Sequence, residues 1–140
     1  MKGFKVTTNP DDLDIALVYA FISKTYWAKN IPFETFKKSI ANSIVFGAYS
    51  AENDQVGFAR VTTDKATFAY LGDVFVLEEY RGLGISKLIM QAIAKHSELQ
   101  GLRRFMLATS DAHGLYAQFG FQDIANPEIF MQIWQPTVYE

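Results

Sequence analysis

Val74-Phe75-Val76-Leu77-Glu78-Glu79-Tyr80-Arg81-Gly82-Leu83-Gly84-Ile85-Ser86-Lys87-Leu88 passes from an unbroken apolar run, through a polar turn with two glycines, into a sequence of helical period. Four apolar residues in a row read as a strand covered on both faces. Beyond residues 78–84, Ile85, Leu88, Ile89, Ala92, Ile93 and His96 mark one helix face, and Lys87, Gln91 and Lys95 the other. A buried strand therefore enters a tight turn that opens a helix. Gly82 and Gly84 let backbone amides crowd together with no Cβ in the way. The helix start adds free N–H groups and a partial positive charge, which makes a cradle suited to phosphate. Arg81 can add a charge-assisted contact. A glycine turn before a helix is, taken alone, also an ordinary structural turn. Lys87 stands where a dinucleotide fingerprint needs its third Gly, and no GxxxxGK[ST] occurs, so neither of those phosphate sites is present.

Upstream, residues 4–8 alternate as a short strand. Asn9-Pro10-Asp11-Asp12 supplies a cap, a Pro and acids for a helix over about 11–25, whose apolar positions are Leu13, Leu17, Ala20 and Phe21. Ile31-Pro32 begins a second helix with Phe33, Phe36 and Ile40 as its buried stripe. The period then changes to that of strands. Residues 44–49 and 56–62 flank Glu52-Asn53-Asp54 as a hairpin, and 67–77 form a third strand after the turn at 63–65. Downstream, residues 103–109 read as a strand and 111–119 as a short helix that Gly120 ends. Residues 121–123 and 128–134 read as closing strands. The order predicts an α/β (α+β) fold in one domain over residues 1–140, with no repeat or linker to divide it.

Composition removes several classes of function. The 140 residues carry 13 Lys and Arg against 15 Asp and Glu, without the basic surplus of a nucleic-acid binder. Cysteine is absent, so disulfides, thiolate metal sites and an enzyme thiol nucleophile are excluded, and no metal is expected. The N-terminus lacks the apolar run of a signal peptide, and no stretch approaches ~18 apolar residues, so the expectation is a soluble cytoplasmic protein that does not enter the membrane.

Two blocks give the chain a family likeness. Arg81-x-x-Gly84-x-Ser86, preceded by Tyr80, resembles the pyrophosphate loop of the GNAT superfamily of acyl-CoA-dependent N-acyltransferases, with Ser86 in place of the last small residue. Ala112-His113-Gly114-Leu115-Tyr116-Ala117-Gln118-Phe119-Gly120-Phe121 looks like that superfamily's Ala-x-x-Leu-Tyr-x-x-x-Gly-Phe signature. The element order matches along essentially the whole chain. The resemblance implies a mixed, mostly antiparallel sheet flanked by helices, with its fourth and fifth strands splayed apart. It also implies acetyl transfer from acetyl-CoA to an amine, on a small molecule or a peptide, by direct attack. It is compatible with a homodimer.

By the same resemblance, Tyr116 is the general acid beside the CoA sulfur. A phenol of pKa ~10 facing a thiol of ~8.5 is a workable proton donor. The same ring would equally serve to pack a short helix on the sheet. The cofactor is expected along the backbone of Val74, Phe75 and Val76 and in the loop Arg81, Gly82, Leu83, Gly84, Ile85 and Ser86. Thr109 stands where many members carry Asn. Asp73 is the sole acid on the fourth strand and the candidate base, on the face opposite Val74 and Val76 unless a bulge at Gly72 turns it; a structural acid is the competing reading. Tyr70 shares the parity of Val74 and could hold a relay water. Asp111 reads as a helix N-cap and His113 as a surface residue near the cofactor. Tyr26, Trp27 and Phe33, in the loop between the first two helices, are placed to line an amine site, with Trp27 the stronger candidate and Phe33 equally suited to core packing. A degenerate member that only senses or scaffolds acyl-CoA, and an unrelated phosphate-binding module, are the alternatives.

Overall fold

The computed structural model describes residues 3–140. Strand β1 (Lys5–Thr7) leads through a 3-10 turn at Pro10–Asp12 to helix α1 (Ile15–Ile22) and helix α2 (Phe33–Ala41). A meander of β2 (Ile44–Tyr49), β3 (Gln55–Thr63) and β4 (Phe68–Val76) follows. Helix α3 (Ile85–Lys95), strand β5 (Arg104–Leu107) and the one-and-a-half-turn helix α4 (His113–Ala117) complete the elements. The sheet order is β1-β2-β3-β4-β5, antiparallel except for the parallel β4–β5 pair.

The first helix begins later than its sequence suggests. Asn9 caps the 3-10 turn by accepting from the Asp11 amide, and Asp14 caps α1 by accepting from the Leu17 amide at 3.1 Å. Two acidic caps in succession split one apolar pattern into a turn and a helix. Tyr19 donates its hydroxyl to the Ile31 carbonyl at 2.7 Å, which ties the α1–α2 loop down, with Ala28 and Ile31 buried beneath it.

Two apolar layers sandwich the sheet. On one face, Phe46, Ala48, Ala59, Val61, Ala69, Leu71 and Val76 meet Ile85, Ile89, Met90 and Ile93 of α3 and Tyr116 of α4. On the other, Val45, Phe58 and Phe75 meet Val18, Ile22, Phe36 and Ile40 of α1 and α2. Strand β4 supplies both layers by changing its parity midway. Ala69 and Leu71 point to the α3 layer, yet so do Val74 and Val76, while Phe75 turns into the α1 layer and stacks on Phe21 at 4.0 Å. The register explains it: Phe58 faces Phe75 and Arg60 faces Gly72, so Ala59 lies opposite both Asp73 and Val74. One extra residue makes a bulge and inverts every side chain after it. Asp73 sits at φ 54, a left-handed conformation that Asp tolerates better than most residues.

The bulge also shapes the neighbouring edge. β5 pairs with β4 only from Phe68↔Arg104 to Leu71↔Leu107, and pairing stops one residue before the bulge begins to bend β4. The expected splay of the fourth and fifth strands is present.

Three expectations need correction. Residues 121–123 and 128–134 form no strand; among the described residues they meet no partner with which to share a ladder, and an alternating pattern becomes a strand only when its N–H and C=O groups are matched. Tyr70 and Val74 do not share a face, because the bulge lies between them. Asp111 is not the N-cap of α4: Ala112 holds that position, and Thr109 Oγ1 accepts from its amide at 3.1 Å.

If the left-handed bulge matters, Asp73→Gly and Asp73→Val will differ. Both lose the carboxylate's partners, a cost of about 1–3 kcal/mol for a partly buried pair. Only valine adds backbone strain, about 1–2 kcal/mol. Urea unfolding should therefore rank wild type above Asp73→Gly, and Asp73→Gly above Asp73→Val; equal stability of the two variants would contradict the assignment.

Candidate active site

The turn after β4 builds the first part of the site. A 3-10 turn at Glu78–Tyr80 reverses the chain, and Gly82 (φ 80) and Gly84 (φ 83) both take left-handed backbone. A Cβ at Gly82 would meet nothing within 4 Å, so space at that glycine opens to solvent and the demand is purely conformational. Gly84 is the N-cap of α3, and the first helical bond runs from the Leu88 amide to the Gly84 carbonyl. The amides of Ile85, Ser86 and Lys87 thus precede any intrahelical acceptor. With Val76, Tyr80, Arg81 and Leu115 this loop encloses a cleft of about 290 Å³. Backbone donors, a helix N-terminus and the adjacent Lys87 and Arg81 fit a diphosphate.

Arg81 does more than sequence suggests. Its Nε donates to the Val76 carbonyl at 3.0 Å, so the guanidinium pins the turn to the end of β4 and takes up an acceptor expected to be free. The Leu77 amide bonds back to the Val56 carbonyl of β3. Strand alternation then directs the Val76 amide to the other side, into the splay where β5 no longer pairs. Phe75 and Ile85 contribute only main chain there, since both side chains are buried in the core. Leu83 is exposed at the lip of the turn.

Tyr116 lies across α4 from the cradle. Its ring is buried against Phe121 and the α3 layer, while its hydroxyl makes no hydrogen bond among the described residues. Burial, and then the negative charge of Asp111, push the phenol above its usual value. It lines a second, larger groove of about 1080 Å³ beside β5, together with Leu107, Thr109, His113, Phe119 and Phe121. The cradle and Tyr116 therefore line two clefts that flank α4, and Val74, Val76 and Tyr116 pack in one cluster between them. The Thr109 hydroxyl already accepts from the Ala112 amide, and its proton is left to offer elsewhere.

The third group lies on the α1–α2 face of the sheet. Asp73 accepts from Trp27 Nε1 through Oδ1 and from Arg60 Nε through Oδ2, both at 2.8 Å. Arg60 Nη1 also donates to Ser43 Oγ and Thr62 Oγ1, each at 3.1 Å. Each carboxylate oxygen thus takes one hydrogen bond from a side chain of a different element, which ties the bulge to the α1–α2 loop and to β3. Trp27 is half exposed, with Tyr26 edge-on at 5.1 Å and open to solvent; Tyr70 is exposed on β4. Phe33 packs edge-to-face on Tyr19 at 5.0 Å, away from the Asp73 group. Sequence reasoning passes over Arg60; a lone cation inside the apolar run 56–61 is the signal that marks it. Among the described residues no cluster of three metal-ligating side chains occurs, and no helix is long and apolar enough to cross a membrane.

Known proteins share this arrangement. A model of the acetyltransferase (GNAT) domain matches residues 41–123, which hold the meander, the cradle and α4. A candidate acetyltransferase of Gibberella zeae is 31% identical over 86% of this chain and 80% of its own. The crystal structure of a candidate GNAT-family acetyltransferase from Xanthomonas campestris pv. campestris is 50% identical, covers 99% of this chain and 98% of its own, and superposes with a TM-score of 0.96. So complete an overlap includes the C-terminal residues. A candidate acetyltransferase of Clostridium acetobutylicum, solved with acetyl-CoA, shares the fold at 15% identity, with a TM-score of 0.66 over 95% of this chain and 96% of its own. The chain belongs to the GNAT family of acetyltransferases.

Proposed function

We propose that this protein is an N-acetyltransferase that moves the acetyl group of acetyl-CoA to an amine by direct attack. The observation that carries the reading is the splay: β4 and β5 part after Leu71 and Leu107, and the Val76 amide faces the gap between the phosphate cradle and Tyr116. The amides of the Gly82–Lys87 turn hold the diphosphate, with Arg81 fixing the turn to the strand. The open edge of Val74 and Val76 pairs with the pantetheine, as an added strand would. Acetyl-CoA supplies the activated acyl group and the leaving thiolate.

The residues divide the chemistry as follows. The Val76 amide meets the thioester oxygen and takes the charge that gathers there as the amine attacks. Tyr116 donates its hydroxyl proton toward the departing sulfur; its raised pKa keeps it protonated throughout the neutral range. Asp73 holds Trp27 and Arg60, so that the indole face forms one wall for a small or peptide amine. The proton lost by the amine leaves through water held near Tyr70. No step requires an enzyme nucleophile, consistent with a chain that has no cysteine.

Tyr116→Phe keeps the ring and its packing and removes only the hydroxyl. Turnover of acetyl-CoA with an amine found by screening for CoA release should fall ~10²-fold or more in kcat, with acetyl-CoA binding nearly unchanged. A wild-type rate with chemistry limiting would return Tyr116 to packing. Because the phenol titrates above its ordinary value, the wild-type kcat should show no loss of the acid below about pH 10; a descending limb at pH 8–9 that disappears in Tyr116→Phe would contradict the raised pKa.

Gly84→Val tests the cradle. It forces a branched residue into left-handed backbone at the helix cap and sets a side chain against the phosphate. Calorimetry should show CoA affinity reduced at least tenfold, ~1.4 kcal/mol, in a folded variant. Unchanged affinity would remove the diphosphate from this turn.

A further inference from the structure

Gly72 is the one residue of β4 without a side chain, and its backbone does not require that. Unlike Gly82 and Gly84, it is not in left-handed backbone, so other residues could take its conformation. A Cβ there would meet only the Tyr70 ring edge, at 3.7 Å, apart from its chain neighbours. The position is half-buried and open above. A strand glycine that serves neither a left-handed turn nor close packing within its own chain leaves room for a ligand to approach the backbone.

Donors border this floor. Arg60 faces Gly72 across the β3–β4 ladder, on the α1–α2 side of the sheet. Asp73 takes its Nε, and Ser43 and Thr62 take its Nη1. Nη2 donates to nothing among the described residues, and the side chain is 23% exposed. Three acceptors thus fix the planar group through two of its nitrogens and leave the third free to bind. The Thr62 hydroxyl accepts from Arg60 and keeps its own proton to give. The wider field has the same sign. Lys24, Lys29, Lys37 and Lys38 are exposed on residues 15–43 against Glu34 alone, in a chain of net charge −2. That half of the face attracts anions.

We propose that the acceptor is an amine that also carries a carboxylate, and that the carboxylate sits over Gly72. One of its oxygens accepts from Arg60 Nη2 and the other from the Thr62 hydroxyl, with the Tyr70 ring as a side wall. The place of the amine, at the splay, rests on the acyl-transfer reading above. Gly72 precedes Val76 by four residues, about 13 Å of extended strand and less across the bulge. Amine and carboxylate are therefore separated by several bonds, as in an ω-amino acid, and not joined at one carbon. Trp27, bonded to Asp73 between the two positions, walls the connecting chain.

Binding without turnover tests this, so its failure would leave acyl transfer standing. The probes are 6-acetamidohexanoate and the uncharged 6-acetamidohexanamide, titrated into the full chain and read from the Trp27 indole N–H resonance. Wild type should bind the carboxylate about tenfold more tightly than the amide, or better, as a charge-assisted bond requires. Gly72→Val fills the floor and leaves the Arg60 pair intact. Arg60→Lys keeps a charge beside Asp73 and loses the rigid fork. Each variant that keeps the wild-type circular dichroism should bind the two probes with nearly equal affinity. Equal affinities in wild type, or no saturable binding of either probe, would overturn the proposal. So would a preference for the carboxylate that survives in either folded variant. Acetylation of amines by a chain that binds both probes alike would remove the carboxylate site alone. The expected binding, in a chain that releases no CoA from acetyl-CoA with 6-aminohexanoate, would keep the site and remove the transfer reading.

Discussion

One backbone irregularity organises this molecule: the left-handed residue at Asp73, stapled on one side by Arg60 and on the other by the Trp27 indole. The extra residue inverts the facing of β4, so a single strand lines two opposed cores, and it coincides with the point where β5 stops pairing. A strand that stayed regular would carry the ladder onward and leave no open backbone for a ligand. The hydrogen-bonded carboxylate thus holds the bulge beside which the edge of β4 opens, and it does so from the far face of the sheet.

That arrangement separates roles that a sequence motif blends together. The cradle is main chain, and its side chains matter mostly by their absence. Arg81 spends its Nε on the Val76 carbonyl, which fixes the turn relative to the strand. Tyr116 has the opposite character, a buried ring whose hydroxyl alone is free. Between them lies an edge whose amides are directed by nothing more than strand alternation and one bond from Leu77 back to Val56. On the proposed reading, the acceptor side is built by different elements, α1 and its loop, and meets the cofactor side through Asp73.

Much of this was legible in the residues. The element order from β1 to α4 follows from period and turn chemistry, and the glycine turn with its Arg and the Leu115-Tyr116 block together identify the family. The bulge was less legible. Gly72 is the residue a bulge would be expected to use, yet the left-handed φ falls on Asp73, because its carboxylate finds two donors there. Arg60 was hidden for the complementary reason: its partner lies 13 positions away, across a register shift. Residues 128–134 have a strand's pattern and no strand, since pattern records what a segment can bury and not whether its own chain offers the edge. Asp111 lost the cap position to Ala112, whose own amide is taken by Thr109 Oγ1.

In the proposed reading the splay and the cradle form one continuous acyl-CoA site. A crystal structure of the full chain with bound CoA tests it most directly. Diphosphate oxygens should lie within about 3 Å of the amides of the 82–87 turn, with the pantetheine bonded to the Val76 amide and the sulfur beside the Tyr116 hydroxyl. CoA bound in the groove outside β5, with the Val76 amide unmet and the glycine turn empty, would contradict it.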